Sequence, residues 1–231
     1  MVVSPSLLRF SLMSSPWSSA AGCIDRTKGS TRVPPVQIEN RRIEGLTALW
    51  NFVTLMMLRP LKWPADRAAL LALDTTSMTD RFYRLEHAGR SISLEETVAT
   101  SPIRKSYALD NEIDALPTMS WVQVAEDADV VVGLAAMRLE QWNRRARLEH
   151  LYVASQARGR GIARALVESA MDGARQLGAR GVWVETQTTN YGAIRFYERT
   201  GFAWCGLDTS LYDPDDVSVN EIAVFLWRAV S

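Results

Sequence analysis

The sequence predicts an α/β fold, or α+β under schemes that weigh antiparallel strands, with helices packed on a mixed sheet. Two observations point there. Short apolar runs recur through residues 51–231, and after residue 161 the apolar spacing changes to that of a helix. Strand patterns then alternate with helical ones: strands first, followed by strand, helix, strand, helix, strand and strand.

In order, the residues justify these elements as follows. "FVTLMMLR" reads as a strand, and with the preceding residues "ALWNFVTLMML" as a buried one. Pro60 and Pro64 break the chain, and residues 65–73 are helical in composition. "RFYRLEHAGRSISLEE" gives two short strands around Gly89, and a polar connection is expected over residues 97–118. "WVQVAEDADVVVGLAAMRLE" gives two strands joined at the acidic turn 126–129, and "RLEHLYVA" a strand apolar enough for burial on both faces. Ile162, Leu166, Val167, Ala170, Met171, Ala174 and Leu177 fall on one helical face, with Gly178 as the stop. "GVWVETQ" is a strand, residues 192–200 a helix ended by Gly201, "FAWCGL" a strand, and "EIAVFLWRAV" the last strand. Met56, Met57 and Met137 read as core.

Composition sets the bounds. A chain of 231 residues with 47% hydrophobic content can bury a sizeable core. Lys plus Arg and Asp plus Glu each total 26, a balance that argues against a general nucleic-acid binder. No apolar run reaches the ~18 residues of a membrane span. Cys23 and Cys205, with His87 and His150, offer neither zinc-ligand spacing nor a disulfide framework, so no metal and a reducing, cytoplasmic setting are expected. Residues 1–50 are rich in Ser and small residues, carry Pro34-Pro35, and are expected to form a disordered extension to a globular domain at 51–231.

The chemistry gathers at "SQARGRGIARALV" (155–167), where a strand runs directly into a helix. N–H groups in a first helical turn lack intrahelical partners, and with the helix dipole they favour an anion. Gly159 and Gly161 keep side chains away from such a ligand, while Arg158, Arg160 and Arg164 add positive charge.

Gln156-x-x-Gly159-x-Gly161 resembles the acetyl-CoA pyrophosphate loop of the GCN5-related N-acetyltransferase (GNAT) superfamily. "NYGAIRFYERTGF" resembles that superfamily's second signature, Asn-x-x-Ala-x-x-x-Tyr-x-x-x-Gly-Phe. "WNRRARLEHLYVASQARGRG", "ETQTTN" and "GFAWCGLDTSLYD" are further similar to the streptothricin (nourseothricin) acetyltransferases. The resemblance implies the GNAT fold, with a mixed, mostly antiparallel central sheet flanked by helices. It also implies acetyl-CoA as co-substrate. The backbone of Leu151, Tyr152 and Val153 would pair with the pantetheine arm. Gln156, Arg158, Gly159, Arg160, Gly161, Ile162 and Ala163 would hold the phosphates, with Asn190 and Tyr197 near the thioester.

Acetyl transfer to an amine needs a base, because a lysine-like amine titrates near ~10.4 and must lose a proton before attack. Glu149 and Glu185 are the candidates, each a carboxylate in an otherwise apolar strand. Glu149 could instead pair with Arg145 or Arg147, and Glu185 could bind substrate ammonium. Tyr197 matches the tyrosine that reprotonates the leaving thiolate. Trp142, Glu185, Asp208 and Tyr212 offer the carboxylates and aromatic faces that suit a cationic small-molecule amine. Streptothricin-type antibiotics lead the acceptor classes. Aminoglycosides, polyamines and protein N-termini remain alternatives, as does a non-catalytic acetyl-CoA sensor, and the oligomeric state is open, a dimer included.

Overall fold

A computed structural model of the chain describes residues 56–107, 109–213, 215 and 221–230. The expectations for residues 1–50, for Cys23 and for the start of the first strand lie outside them.

In chain order the elements are β1 (Met57–Pro60), α1 (Arg67–Leu71), β2 (Ser77–Ala88), β3 (Ser91–Lys105), β4 (Trp121–Asp127), β5 (Val130–Glu140) and β6 (Arg145–Val153). They continue with α2 (Ile162–Gln176), β7 (Gly181–Gln187), α3 (Tyr191–Arg199), β8 (Ala203–Asp208) and β9 (Ala223–Ala229). Among the described residues seven strands make the main sheet in the order β1-β4-β5-β6-β7-β9-β8, and β2 and β3 form a separate hairpin. Among the described strand pairs β6–β7 alone is parallel; β1–β4, β4–β5, β5–β6, β7–β9 and β8–β9 are antiparallel.

The period change at residue 161 is where α2 begins. Its buried face carries Ile162, Leu166, Val167, Ala170, Met171 and Ala174, which pack on the sheet, while Leu177 at the C-cap is only half-buried. Each large aliphatic among them contributes roughly 1.5–3 kcal/mol of burial. Gly173 lies on the same face for a different reason, because a Cβ there would stand 2.4 Å from Trp121 Nε1. The acidic turn is a tight hairpin in which Ala128 and Asp129 both take positive φ, 50° and 61°.

Several expectations need correction. Among the described residues β1 lies at the edge of the sheet and pairs with β4; Met57, expected in the core, is 53% exposed, Met56 is partly buried and Met137 is core. Arg59 ties this edge to α1 through paired bonds to Asp66 at 2.8 Å, and to β4 through Glu126. The polar connection starts later than expected, since β3 runs on to Lys105 and pairs with Ser77 at its end. Both faces of that strand are largely wet, so no apolar alternation marks it in sequence. The remaining connection contains a 3-10 turn, Ile113–Thr118, whose Ile113 and Leu116 are fully buried. The hairpin reaches the main sheet through Tyr83, whose N–H donates to Thr188 O at 3.0 Å and whose ring packs against Tyr191 and Trp204.

Candidate active site

The site originates in how β6 and β7 pair. They share three residue pairs, Arg145↔Gly181, Ala146↔Val182 and Arg147↔Trp183, and then part, although β6 continues to Val153 and β7 to Gln187. Beyond the split lies a cleft of about 710 Å³. Its wall includes Glu149, Leu151, Tyr152 and Val153 from β6, Glu185 from β7, and Asn190 and Tyr197 from the α3 region.

A β-bulge shapes that wall. Ala136 pairs with His150 while Met137 pairs with Leu148, so Glu149 is the extra residue. One inserted residue reverses the side-chain alternation. Ala146 and Leu148 enter the core beneath α2 before it, and Leu151 and Val153 enter that core after it. His150 and Tyr152 thereby turn to the opposite face, where their rings stack at 5.8 Å.

At the strand-to-helix turn, Gly159 and Gly161 take φ of 76° and 82°. Neither position meets any atom within 4 Å of an added Cβ, so it is backbone conformation and open space that call for glycine. Gly161 is the N-cap of α2 and supplies no capping side chain, which leaves the first-turn N–H groups available to an anion. The three arginines of the loop divide. Arg158 donates to Val153 O at 3.1 Å, Thr76 O at 2.6 Å and Thr75 O at 2.8 Å, so it fastens the loop to neighbouring backbone. Arg160 pairs with Asp127 at 2.6 Å, away from the cleft wall, and Arg164 stands exposed at the cleft. Ile162 and Ala163 line the cleft; Gln156 does not, and its carbonyl accepts from Ser155 at 3.3 Å.

Tyr197 is 8% exposed and edges against Phe196 and Phe202. Burial, reinforced by Tyr152 and Tyr107 nearby, pushes its phenol well above the usual range, so it stays protonated. The Asn190 side chain caps α3, accepting from Ala193 N–H at 3.4 Å, while its Nδ2 donates to the Tyr107 hydroxyl at 2.9 Å. Glu149 accepts from Arg138 at 3.1 Å, rather than from Arg145 or Arg147. Glu185 has both oxygens engaged, by Tyr212 at 2.6 Å and by Arg147 at 3.2 Å.

The acceptor-side expectations separate in the same way. Tyr212 reaches the cleft wall through its bond to Glu185. Trp142 is 86% exposed in the β5–β6 turn, and Asp208 accepts from Ser210 N–H and Oγ at 2.8 Å within its own turn; neither lines the cleft. Sequence reasoning missed Tyr107, Gln187 and Thr189, which all line it. Thr189 is 3% exposed and its hydroxyl has no hydrogen-bond partner among the described residues, an open donor beside the cleft. Its place in "ETQTTN", one residue before Asn190, was the available signal. His150 is buried with neither ring nitrogen hydrogen-bonded among the described residues, and Glu112 Oε2 lies 3.6 Å from Nε2. His87 is exposed on β2. Among the described residues no helix is long and apolar enough to cross a membrane, and no cluster of three His, Cys, Asp or Glu could hold a metal ion.

Comparison with known proteins adds four findings. The pattern of the Acetyltransferase (GNAT) family matches residues 83–202. A streptothricin acetyltransferase of Streptomyces lavendulae is 35% identical over 157 residues, covering 64% of this chain and 82% of that protein. The crystal structure of a nourseothricin acetyltransferase superposes with a TM-score of 0.67 at 32% identity, covering 76% of this chain and 99% of that one. A Bacillus anthracis protein solved with acetyl coenzyme A shares the fold, with a TM-score of 0.65 at 20% identity over 77% of this chain and 99% of its own.

Proposed function

The chain belongs to the acetyltransferase (GNAT) family and is an acetyl-CoA-dependent N-acetyltransferase; from that premise we propose that its acceptor is a primary amine of a streptothricin-type cationic antibiotic. The observation that carries this reading is the parting of β6 and β7, which gathers two carboxylates and a buried phenol around one cleft. The relatives described above are named for streptothricin and nourseothricin, which supports the choice of acceptor.

In this reading the pyrophosphate of acetyl-CoA lies on the N-terminal turn of α2 at Gly159 and Gly161, with Arg164 adding charge. The pantetheine arm occupies the gap that β6 leaves beside Leu151, Tyr152 and Val153, as an added strand would. Glu149 is the base, because Arg138 engages one of its oxygens, whereas Arg147 and Tyr212 engage both oxygens of Glu185. It removes the ammonium proton, and the amine then attacks the thioester carbonyl. The C–N bond forms as the C–S bond breaks, and Tyr197 gives its phenol proton to the leaving thiolate, recovering one from the acetylated nitrogen. Glu185 and Tyr212 bind the substrate's charge.

The test is thiol release from acetyl-CoA by the full chain against streptothricin, an aminoglycoside, spermidine, a peptide N-terminus and buffer. Saturable turnover with streptothricin above the other amines is expected. Preferred turnover of another amine would overturn the acceptor assignment, and acetyl-CoA binding without turnover of any would favour a sensor.

A further inference from the structure

Along the acceptor wall, amides and hydroxyls form a chain whose direction is fixed by which atoms can donate. Asn190 Oδ1 is committed to Ala193 N–H, so its Nδ2 faces Tyr107 and donates to that hydroxyl at 2.9 Å. A phenol has one proton, and that of Tyr107 goes to Gln187 Oε1 at 2.7 Å. With Oε1 occupied, Gln187 has its amide N–H to offer toward Tyr212, and its side chain opposes the upward shift that burial and Glu185 impose on that phenol. Tyr212 passes its own proton to Glu185 Oε1 at 2.6 Å. A carboxylate only accepts, so Glu185 sets the direction at one end and the α3 cap sets it at the other.

The anchoring of Tyr107 fits a positioning part rather than a passive wall. Its N–H donates to Thr75 Oγ1 at 2.9 Å, and that hydroxyl donates back to Tyr107 O at 2.7 Å. The Thr75 carbonyl in turn accepts from Arg158 of the glycine loop at 2.8 Å. Hydrogen bonds therefore run from the loop, through Tyr107, to both Asn190 and Gln187, and Gln187 acts in turn on the Tyr212 that is bonded to Glu185.

We infer that Tyr107 and Gln187 are positioning residues that couple the acyl-donor end of the cleft, at Asn190, to the acceptor end, at Glu185. The inference rests on the proposed function for the roles of those two ends. Losing the Tyr107 hydroxyl leaves Asn190 Nδ2 and Gln187 Oε1 unpaired, and Gln187 is then free to reverse its amide. Bonds in such a chain polarise one another, and coupling between two binding ends is reciprocal.

The experiment is a double-mutant cycle of Tyr107→Phe and Tyr212→Phe in the full chain. Acetyl-CoA Kd is measured by calorimetry, KM and kcat with streptothricin, and thermal melts verify folding. Tyr107→Phe is expected to raise both the acetyl-CoA Kd and the streptothricin KM by about 5- to 10-fold, the scale of one buried hydrogen bond. Tyr212→Phe, remote from the acyl-donor end, also raises the acetyl-CoA Kd, and the double variant is no worse than the worse single one. An unchanged acetyl-CoA Kd in Tyr212→Phe, or single effects that multiply in the double variant, would overturn the coupling. Failure of the wild type to turn over streptothricin would count against the acceptor assignment alone, because the acetyl-CoA cycle decides the coupling without any amine.

Discussion

Replacing Gly161 by Ala separates the backbone's conformational demand from its contact with ligand. A residue with a Cβ held at the left-handed φ of 82° costs about 1–2 kcal/mol. For a domain of this size that lowers Tm by about 2–8 °C. Gly89, at the tip of the β2–β3 hairpin, is a matched control. Its φ is 61°, a Cβ there also meets nothing within 4 Å, and it does not line the cleft. Gly89→Ala and Gly161→Ala should therefore lose similar stability. Only Gly161→Ala should weaken acetyl-CoA, because its new methyl occupies open space on the cleft wall at the first turn of α2. Losing one hydrogen bond to a charged phosphate corresponds to about 1.5–3 kcal/mol, or roughly 10- to 100-fold in Kd. Calorimetric titration of acetyl-CoA into the two variants, alongside melts, provides the measurement. Equal Kd values for Gly161→Ala and the wild type would refute the phosphate cradle.

Other consequences can be measured directly. Tyr197→Phe should lower kcat about 100-fold or more while leaving acetyl-CoA Kd within about twofold, as loss of a general acid does; a proportional rise in Kd would instead mark a packing role. Because burial holds the Tyr197 phenol protonated well above its ordinary range, kcat should show no alkaline loss from this group below pH ~10. Gly173→Ala should destabilise by about 1–3 kcal/mol in chemical denaturation, since its Cβ would stand 2.4 Å from Trp121 Nε1, and Trp121→Phe in the same chain should recover part of the loss. His150 offers a test by pH. Burial outweighs the attraction of Glu112 and Glu149 and lowers its pKa from 6.5, so the unfolded chain binds more protons in that window. Its contribution to stability is complete above pH 6.5 and falls on acidification below it. Melts from pH 8 to pH 5 should show the decline, and His150→Gln should flatten it.

Much of this protein was legible because its signals are local. The helix of α2 follows from apolar spacing, its start from Gly159 and Gly161, and the end of α3 from Gly201, each within a few residues of chain. The same locality exposed Glu149 and Glu185 as charges in apolar strands, and both line the cleft. The β2–β3 hairpin was legible at its turn but not in its length, because strands wet on both faces carry no alternation. Met57 misled because an edge strand can be apolar in sequence and yet covered on one side only.

What the sequence determined by itself was the class of fold and the position of the glycine turn before α2, since helix periods and turn glycines depend on neighbours in the chain. What only the tertiary structure decided was how charge and hydroxyls are shared across the cleft. Arg158 turns to three carbonyls, Glu149 pairs with Arg138 across the bulge, and Tyr107 meets Asn190 from 83 residues away. Those partners are set by strand register and by the parting of β6 from β7, and a register is a relation between distant segments that neither segment carries alone.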